Sequence, residues 1–323
     1  MGMLLLAGPR ANLLARGTLS LSGVSSSSLY PLAQICSGDP GEPWWAAAAG
    51  SPVFTLDGNE VTNGAFASDL AGWTEVATGG GTSSRTTTAG EYHLAAGALK
   101  LDPGGGSVYR YQHLVARAGE VRTVEVWLKN GTGTVKARLR DARGWYLRSD
   151  GTWQAAATEF ATGTASYAAT TRTFTVPSIA TLGTGLATLR LELTATGGTG
   201  FVDDVAHWAA QDFLSVHAHN FGTGVALTVE SSTDGSSWTA ETITQGGSVR
   251  PLAFFARWAQ RNRRWFRYTF TDALGVEPLA IGELFAGQAL ALTRAPLWGD
   301  GEDETTPQTR EAGAGGEEWA IPA

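Results

Sequence analysis

One cysteine, Cys36, stands in 323 residues, so no disulfide can close within the chain. A disulfide-stapled secreted scaffold is thereby excluded. A lone thiol of this kind reads as a small buried hydrophobe, because a nucleophilic cysteine needs a histidine and a base-like setting. Charged residues are scarce, at 16%. No apolar run approaches the roughly 20 residues that span a bilayer. Met1-Gly-Met-Leu-Leu-Leu-Ala7 is apolar but short and lacks the basic start of an export signal. Met3–Leu6 therefore reads as a strand or docking segment, and synthesis in the cytoplasm without a signal of its own is expected. The motifs GxSxG, P-loop, HExxH and CxxC are all missing. Glycoside hydrolysis needs two acids across a cleft. Asp141, Asp150 and Glu159 lie near one aromatic loop, but nothing in the sequence pairs them, so the reading is of a protein that is not an enzyme. The net charge of -7 argues against a general nucleic-acid binder.

What the chain has in quantity is glycine (42 residues) and tryptophan (12 residues), a mixture that suits β-sandwiches. Short alternating runs separated by turn residues recur throughout. They include Val53–Leu56, His93–Leu101, Ser107–Val115, Val121–Lys129, Thr134–Arg140, Tyr167–Val176, Ala187–Leu193 and Gly200–Trp208. Leu214–Ala218, Ala226–Ser231, Arg264–Phe270 and Leu279–Phe285 follow. Tyr30–Ile35 reads as extended, Asn130-Gly131 as a hairpin turn between its flanking strands, and Leu252–Gln260 as a short helix or irregular loop. From Gly299 the chain turns acidic and glycine-rich, then ends in the apolar Trp319-Ala-Ile-Pro322. That end reads either as an untethered tail or as a segment docking on a neighbouring subunit. Texture changes at Asn59 and returns after residue 209. The expected organisation is all-β: two jelly-roll-type sandwiches, one inserted into the other. Residues 1–58 and 210–298 form the outer body, 59–209 the guest, and 299–323 the tail.

The middle stretch carries Asn63-Gly-Ala-Phe66, Leu70-Ala-Gly-Trp73, Val121-Arg-Thr-Val-Glu-Val-Trp-Leu128, Tyr167–Thr175 and Phe201-Val-Asp-Asp-Val205. In these it resembles the CBM4/9-type carbohydrate-binding modules. The resemblance implies a jelly roll that binds glycan through aromatics on a concave face, with a structural calcium near where the chain ends meet. The flanking segments carry Ala11-Asn-Leu-Leu14, Gly38-Asp-Pro-Gly-Glu-Pro-Trp44, Val216-His-Ala-His-Asn220, Glu230-Ser-Ser-Thr-Asp-Gly-Ser-Ser-Trp238, Arg264-Trp-Phe-Arg-Tyr268 and Ile281-Gly-Glu-Leu-Phe-Ala-Gly287. They resemble the discoidin-like, galactose-binding-like domains of tailed-phage virion proteins. That resemblance implies a structural part of a phage-like particle, at the tail tip or baseplate. It would be present in multiple copies, made in the host cytoplasm, and partnered by other tail proteins and host-surface glycan. The alternatives are a non-catalytic carbohydrate-binding accessory protein and a head spike or decoration protein.

Flat aromatic rings stack on the apolar faces of sugars while nearby polar groups bond the hydroxyls. The glycan candidates are Trp145, Tyr146 and Trp153 around Arg148, with Tyr109 and Tyr111; Trp73 and Trp127 read as core. Asp203 and Asp204 with Asn59 and Glu60 are candidate calcium ligands, since hard oxygens suit that ion; the bland reading is a hydrogen-bonded loop. His217 and His219, two apart on a strand, would share a face, but zinc needs further ligands. Arg257, Trp258, Arg261, Arg264 and Trp265, with Trp319, read as an interface, because arginine and aromatics are enriched there. An acidic tail from another copy would be its natural complement.

Overall fold

The computed structural model describes residues 12–37, 43–94, 96–177, 186–222, 224–247, 252–273, 275 and 277–289. The acidic tail, Trp319 and Met3–Leu6 lie outside them. The chain divides into two compact units, one from the segments up to Gly58 and from Ala210 onward, the other from Asn59–Ala209. Both are built of antiparallel β-sheet.

In the outer unit, one sheet runs in the order Thr18–Ser22, Val53–Asp57, Trp265–Asp272, Val225–Ser232, Thr239–Ala240. Alternation dictates its inner face. Phe54 lies opposite Tyr268 and Leu56 opposite Phe266, all fully buried. The second sheet runs Ile243–Gly246, Leu252–Arg261, Gln211–His219, Ala280–Gly287, Trp44–Trp45. Trp44 of this sheet packs edge-on against Phe54 of the first, with centroids 5.0 Å apart. Segments remote in sequence therefore share both sheets and the interior between them. Asn12 is the clasp. Fully buried, it donates to the Leu284 carbonyl (2.8 Å) and accepts from the Leu14 and Ala286 amides (3.1 Å each).

Three local expectations fail here. Leu252–Arg261 is a strand, not a helix or loop; its apolar residues alternate, with Phe254, Ala256 and Trp258 buried, and partners on both sides enforce extension. Leu32–Cys36 winds into a 3-10 turn following Pro31 instead of staying extended. The alternation expected to align His217 with His219 is interrupted. Ala218 takes φ +49 and the register against Leu252–Arg261 slips there. His217 then sits 3.1 Å from the Ser215 hydroxyl, and His219 accepts the Phe221 amide.

In the inserted unit, a five-stranded sheet runs Ala168–Thr175, Val121–Asn130, Gly200–Ala209, Ala98–Asp102, Thr82–Thr86. The larger sheet runs Trp153–Gln154, Tyr146–Leu147, Thr134–Arg140, Leu186–Thr196, Ser107–Arg117, Thr74–Thr78, with Ala161–Thr162 also pairing Thr134–Arg140. Val124, Val126 and Leu128 of the small sheet meet Leu139, Leu191 and Leu193 of the large one in a continuous core. Asn130-Gly131 makes no hairpin, because the strands on either side belong to different sheets. Asn130 instead braces the crossing, donating to the Gly163 carbonyl and accepting from the Val135 amide.

The opening motif is a packed corner. Asn63 and Phe66 both take positive φ, and the Asn63 amide bonds Asp69. Phe66 is buried against Trp73, 5.6 Å away. Gly64 must be glycine: a Cβ there would lie 2.0 Å from the Val205 carbonyl oxygen, and the Gly64 carbonyl receives the Val205 amide.

Candidate functional site

The outward face of the large sheet follows from its registers. Along Ser107–Arg117, Val108, Leu114 and Ala116 point to the core, so Tyr109, Tyr111 and His113 point away. The same parity sends Arg190, Glu192 and Thr194 outward from Leu186–Thr196, and Lys136, Arg138 and Arg140 outward from Thr134–Arg140. Tyr111, Glu192 and Arg138 fall in one cross-strand row; His113, Arg190 and Arg140 fall in the next. Tyr146 extends that row, because it pairs with Arg140 while its neighbour Leu147 is core. Asp141 shapes the hairpin that returns Tyr146 to the face, its carboxylate accepting the Arg143 and Trp145 amides.

These side chains enclose a cleft of about 240 Å³, lined by Tyr109 and Tyr146 at its aromatic ends and by Arg138, Arg140, Arg190, Glu192 and Thr194 between them. The Arg190 guanidinium lies 4.0 Å from the Tyr111 ring centroid and 5.3 Å from that of Tyr109. Its Nε sits 2.9 Å from the Glu192 carboxylate. A hydrogen bond that Arg140 donates to the Tyr146 hydroxyl oxygen, with the Glu192 charge nearby, holds the Arg140 pKa above its ordinary value.

Of the glycan candidates, then, Tyr109, Tyr111 and Tyr146 share this face. The others do not. Trp145 is exposed beside Arg143, 4.7 Å from its guanidinium, and Arg148 is turned to Asp150 at 3.4 Å. Trp153 pairs with Leu147 and so takes the core parity, packing edge-on against Phe174 and donating to the Thr175 carbonyl. Trp73 and Trp127 differ too: Trp73 is buried, while Trp127 stacks at 3.7 Å on the His93 ring. Asp141, Asp150 and Glu159 are bound to Arg143, Arg148 and Lys136 respectively. The cleft's cations and Glu192 were not among the candidates. Their signal lies in the alternations Val135–Arg140 and Leu189–Thr194, but only strand pairing brings them together.

The four expected calcium ligands are not gathered. The Glu60 carboxylate is taken by the fully buried Arg122 (2.8 Å), which also binds Glu120 (2.5 Å). Burial opposes the Arg122 charge, but the two carboxylates outweigh it and hold its pKa up. Asn59 accepts the Val61 and His207 amides. A guanidinium therefore supplies the positive charge where the module's ends meet. Asp203 and Asp204 engage His93 instead: Asp203 accepts its amide (2.7 Å), and Asp204, at φ +46 in a bulge, meets its Nδ1 (2.9 Å). Burial pushes the Asp203 pKa up to about 6. Among the described residues no group of three histidine, cysteine or acidic side chains is placed to hold a metal.

The expected interface is also largely occupied from within. Trp258 is buried core. Arg257, Arg261 and Arg264 bind Asp212, Glu241 and Asp57, the last through two 2.6 Å bonds, and Trp265 lies beside Arg264.

No protein-family model and no curated protein matches the chain. Similar solved structures include the enzymatically active domain of bacteriophage CBA120 tailspike protein 4 (16% identity, covering 47% of this chain and 21% of that one, TM-score 0.35). Another is TmCBM61 in complex with beta-1,4-galactotriose (15% identity, 47% and 98%, TM-score 0.32). A third is the CBM22-1-CBM22-2 tandem domain of Paenibacillus barcinonensis Xyn10C (10% identity, 70% and 96%, TM-score 0.33). The chain thus spans about a fifth of the tailspike structure.

Proposed function

We propose that residues 59–209 form a glycan-binding module that acts by binding without turnover, and that the cleft on the large sheet receives the sugar. The observation that carries this is the convergence of tyrosines from separate strands on one concave site lined with hydrogen-bonding groups. The rings offer apolar faces to a sugar, and the arginines, Glu192 and Thr194 offer donors and acceptors to its hydroxyls. Because strands carry these side chains, the site is largely preformed. Weak single contacts become effective when many copies act together.

Glycan-array binding tests the assignment. Tyr109→Ala and Tyr146→Ala should each weaken binding by about tenfold, in line with ~1 kcal/mol or more per aromatic contact. Trp145→Ala should bind as the wild type does. Undiminished binding by both tyrosine variants would remove the cleft from consideration.

A second reading sets this module within a tailed-phage-like particle, at the tail tip, baseplate or head, with the outer unit as anchor. Its support is that the flanking motifs meet in one sandwich: Asn12 bonds Leu284 and Ala286, and Trp44 pairs with Ile281. Particles purified from the encoding strain should contain the chain by mass spectrometry and immunogold labelling; its absence from them would leave the accessory glycan-binding reading.

A further inference from the structure

We infer that the ligand of the cleft is an anionic glycan, one whose sugars carry uronate carboxylates or sulfate esters. This rests on the glycan-binding reading above and narrows it to a chemical class. The cleft is lined by three guanidinium groups and one carboxylate. Arginine stays charged at any physiological pH, so the lining carries an excess of positive charge inside a chain whose net charge is -7. Local acids do not cancel it. Glu192 is engaged by Arg190 at 2.9 Å. Glu159 is committed to Lys136 at 2.6 Å and reaches Arg138 only at 3.9 Å. Within the cleft, Arg138 keeps its Nε buried with no hydrogen-bond partner.

Registers set these cations side by side. Arg140 lies opposite Arg190 in the register, so two guanidinium groups rise from adjacent strands of one face, Arg190 over Tyr111 and Arg140 bonded to Tyr146. An anion bound over this face would accept from both. Guanidinium forks match the planar oxygens of a carboxylate or the paired oxygens of a sulfate, giving charge-assisted bonds roughly twice as strong as neutral ones. A neutral sugar would leave the excess positive charge of the lining without a counter-charge. A nucleic-acid strand fits less well, since it needs a long basic groove tracking its backbone, whereas this site is a short cleft of about 240 Å³ lined by seven residues.

The test is calorimetry on the full chain against a panel of uronate-bearing and sulfated oligosaccharides, each beside its carboxyl-reduced or desulfated counterpart. An oligothymidine serves as the polyanion control. The charged glycan is expected to bind about tenfold or more tighter than its neutral counterpart, with affinity falling as salt rises. Whether the uronate or the sulfate member binds identifies the anion. Arg138→Gln and Arg140→Gln should each remove most of that preference, Arg140→Lys should restore part of it, and thermal unfolding of each variant confirms a folded chain. Equal affinity for charged and neutral glycans overturns this inference and leaves the glycan-binding reading standing. Binding to no glycan of either kind overturns the glycan-binding reading itself, and preference for the oligonucleotide overturns both.

Discussion

Asp203 shows how a single buried carboxyl is tuned. Burial raises its pKa to about 6, against the pull of the His93 and Asp204 amides it accepts, while the Asp204 charge beside it pushes the same way as burial. The folded state therefore holds a proton on Asp203 between roughly pH 4 and pH 6 that the unfolded chain has released. Stability from this group is full at pH values below the unfolded pKa and is lost as pH rises through about 6. Wild type minus Asp203→Asn, compared by denaturant unfolding across that window, should show the wild type losing relative stability as pH rises. A flat difference would place the Asp203 pKa at its ordinary value. Tyr167 feels the same surroundings. Its pKa is raised, first by burial and then by Asp203 and Asp204, and its hydroxyl donates to the Glu91 carbonyl at 2.7 Å.

At the scale of elements, turns and corners decide where strands go. Gly151, at φ +85, faces the Thr173 carbonyl with no room for a Cβ, which fixes the turn leading to Trp153. The corner at Asn63–Phe66 is tighter still. Gly64→Ala would drive a methyl into the Val205 carbonyl, and the expected cost is about 2 kcal/mol or more, read as a lowered unfolding midpoint. In the outer unit, Asn12 caps its own turn at the Leu14 amide and joins that turn to strand Ala280–Gly287 through two further hydrogen bonds, with Leu284 and Ala286. Asn12→Ala leaves a buried carbonyl and two buried amides unsatisfied, so a loss of about 2–4 kcal/mol is expected by chemical denaturation.

At the scale of the molecule, the two units have separate interiors. The inserted core draws on residues from Val61 to Val205, whereas the Trp44–Phe54 pair belongs to the outer one, and Phe213 and Phe285 form a smaller cluster of their own in the outer unit. Residues 59–209 produced alone are accordingly expected to unfold cooperatively. Within that fragment Arg122→Met should be strongly destabilising, by about 3–5 kcal/mol, since it strands the carboxylates of Glu60 and Glu120. A fragment without a cooperative transition would show that the outer unit is needed for its folding.

The sequence alone determined the class of fold and the positions of most strands, because period-two alternation and turn residues are local signals. It marked Asn63-Gly-Ala-Phe66 and Phe201–Val205, although not that Gly64 rests against Val205. It named Tyr109, Tyr111 and Tyr146, yet it grouped Tyr146 with Trp145 and Trp153, which take other directions. It read Leu252–Gln260 as helix or loop, and Asn130-Gly131 as a hairpin, because nothing local reveals which sheet a strand joins. Only the tertiary structure decided that Arg138, Arg140, Arg190 and Glu192 stand beside the tyrosines, and that Arg122 sits where a metal was expected. Side-chain parity is written along a strand, but the neighbours across it are set by register and pairing between segments far apart in the chain.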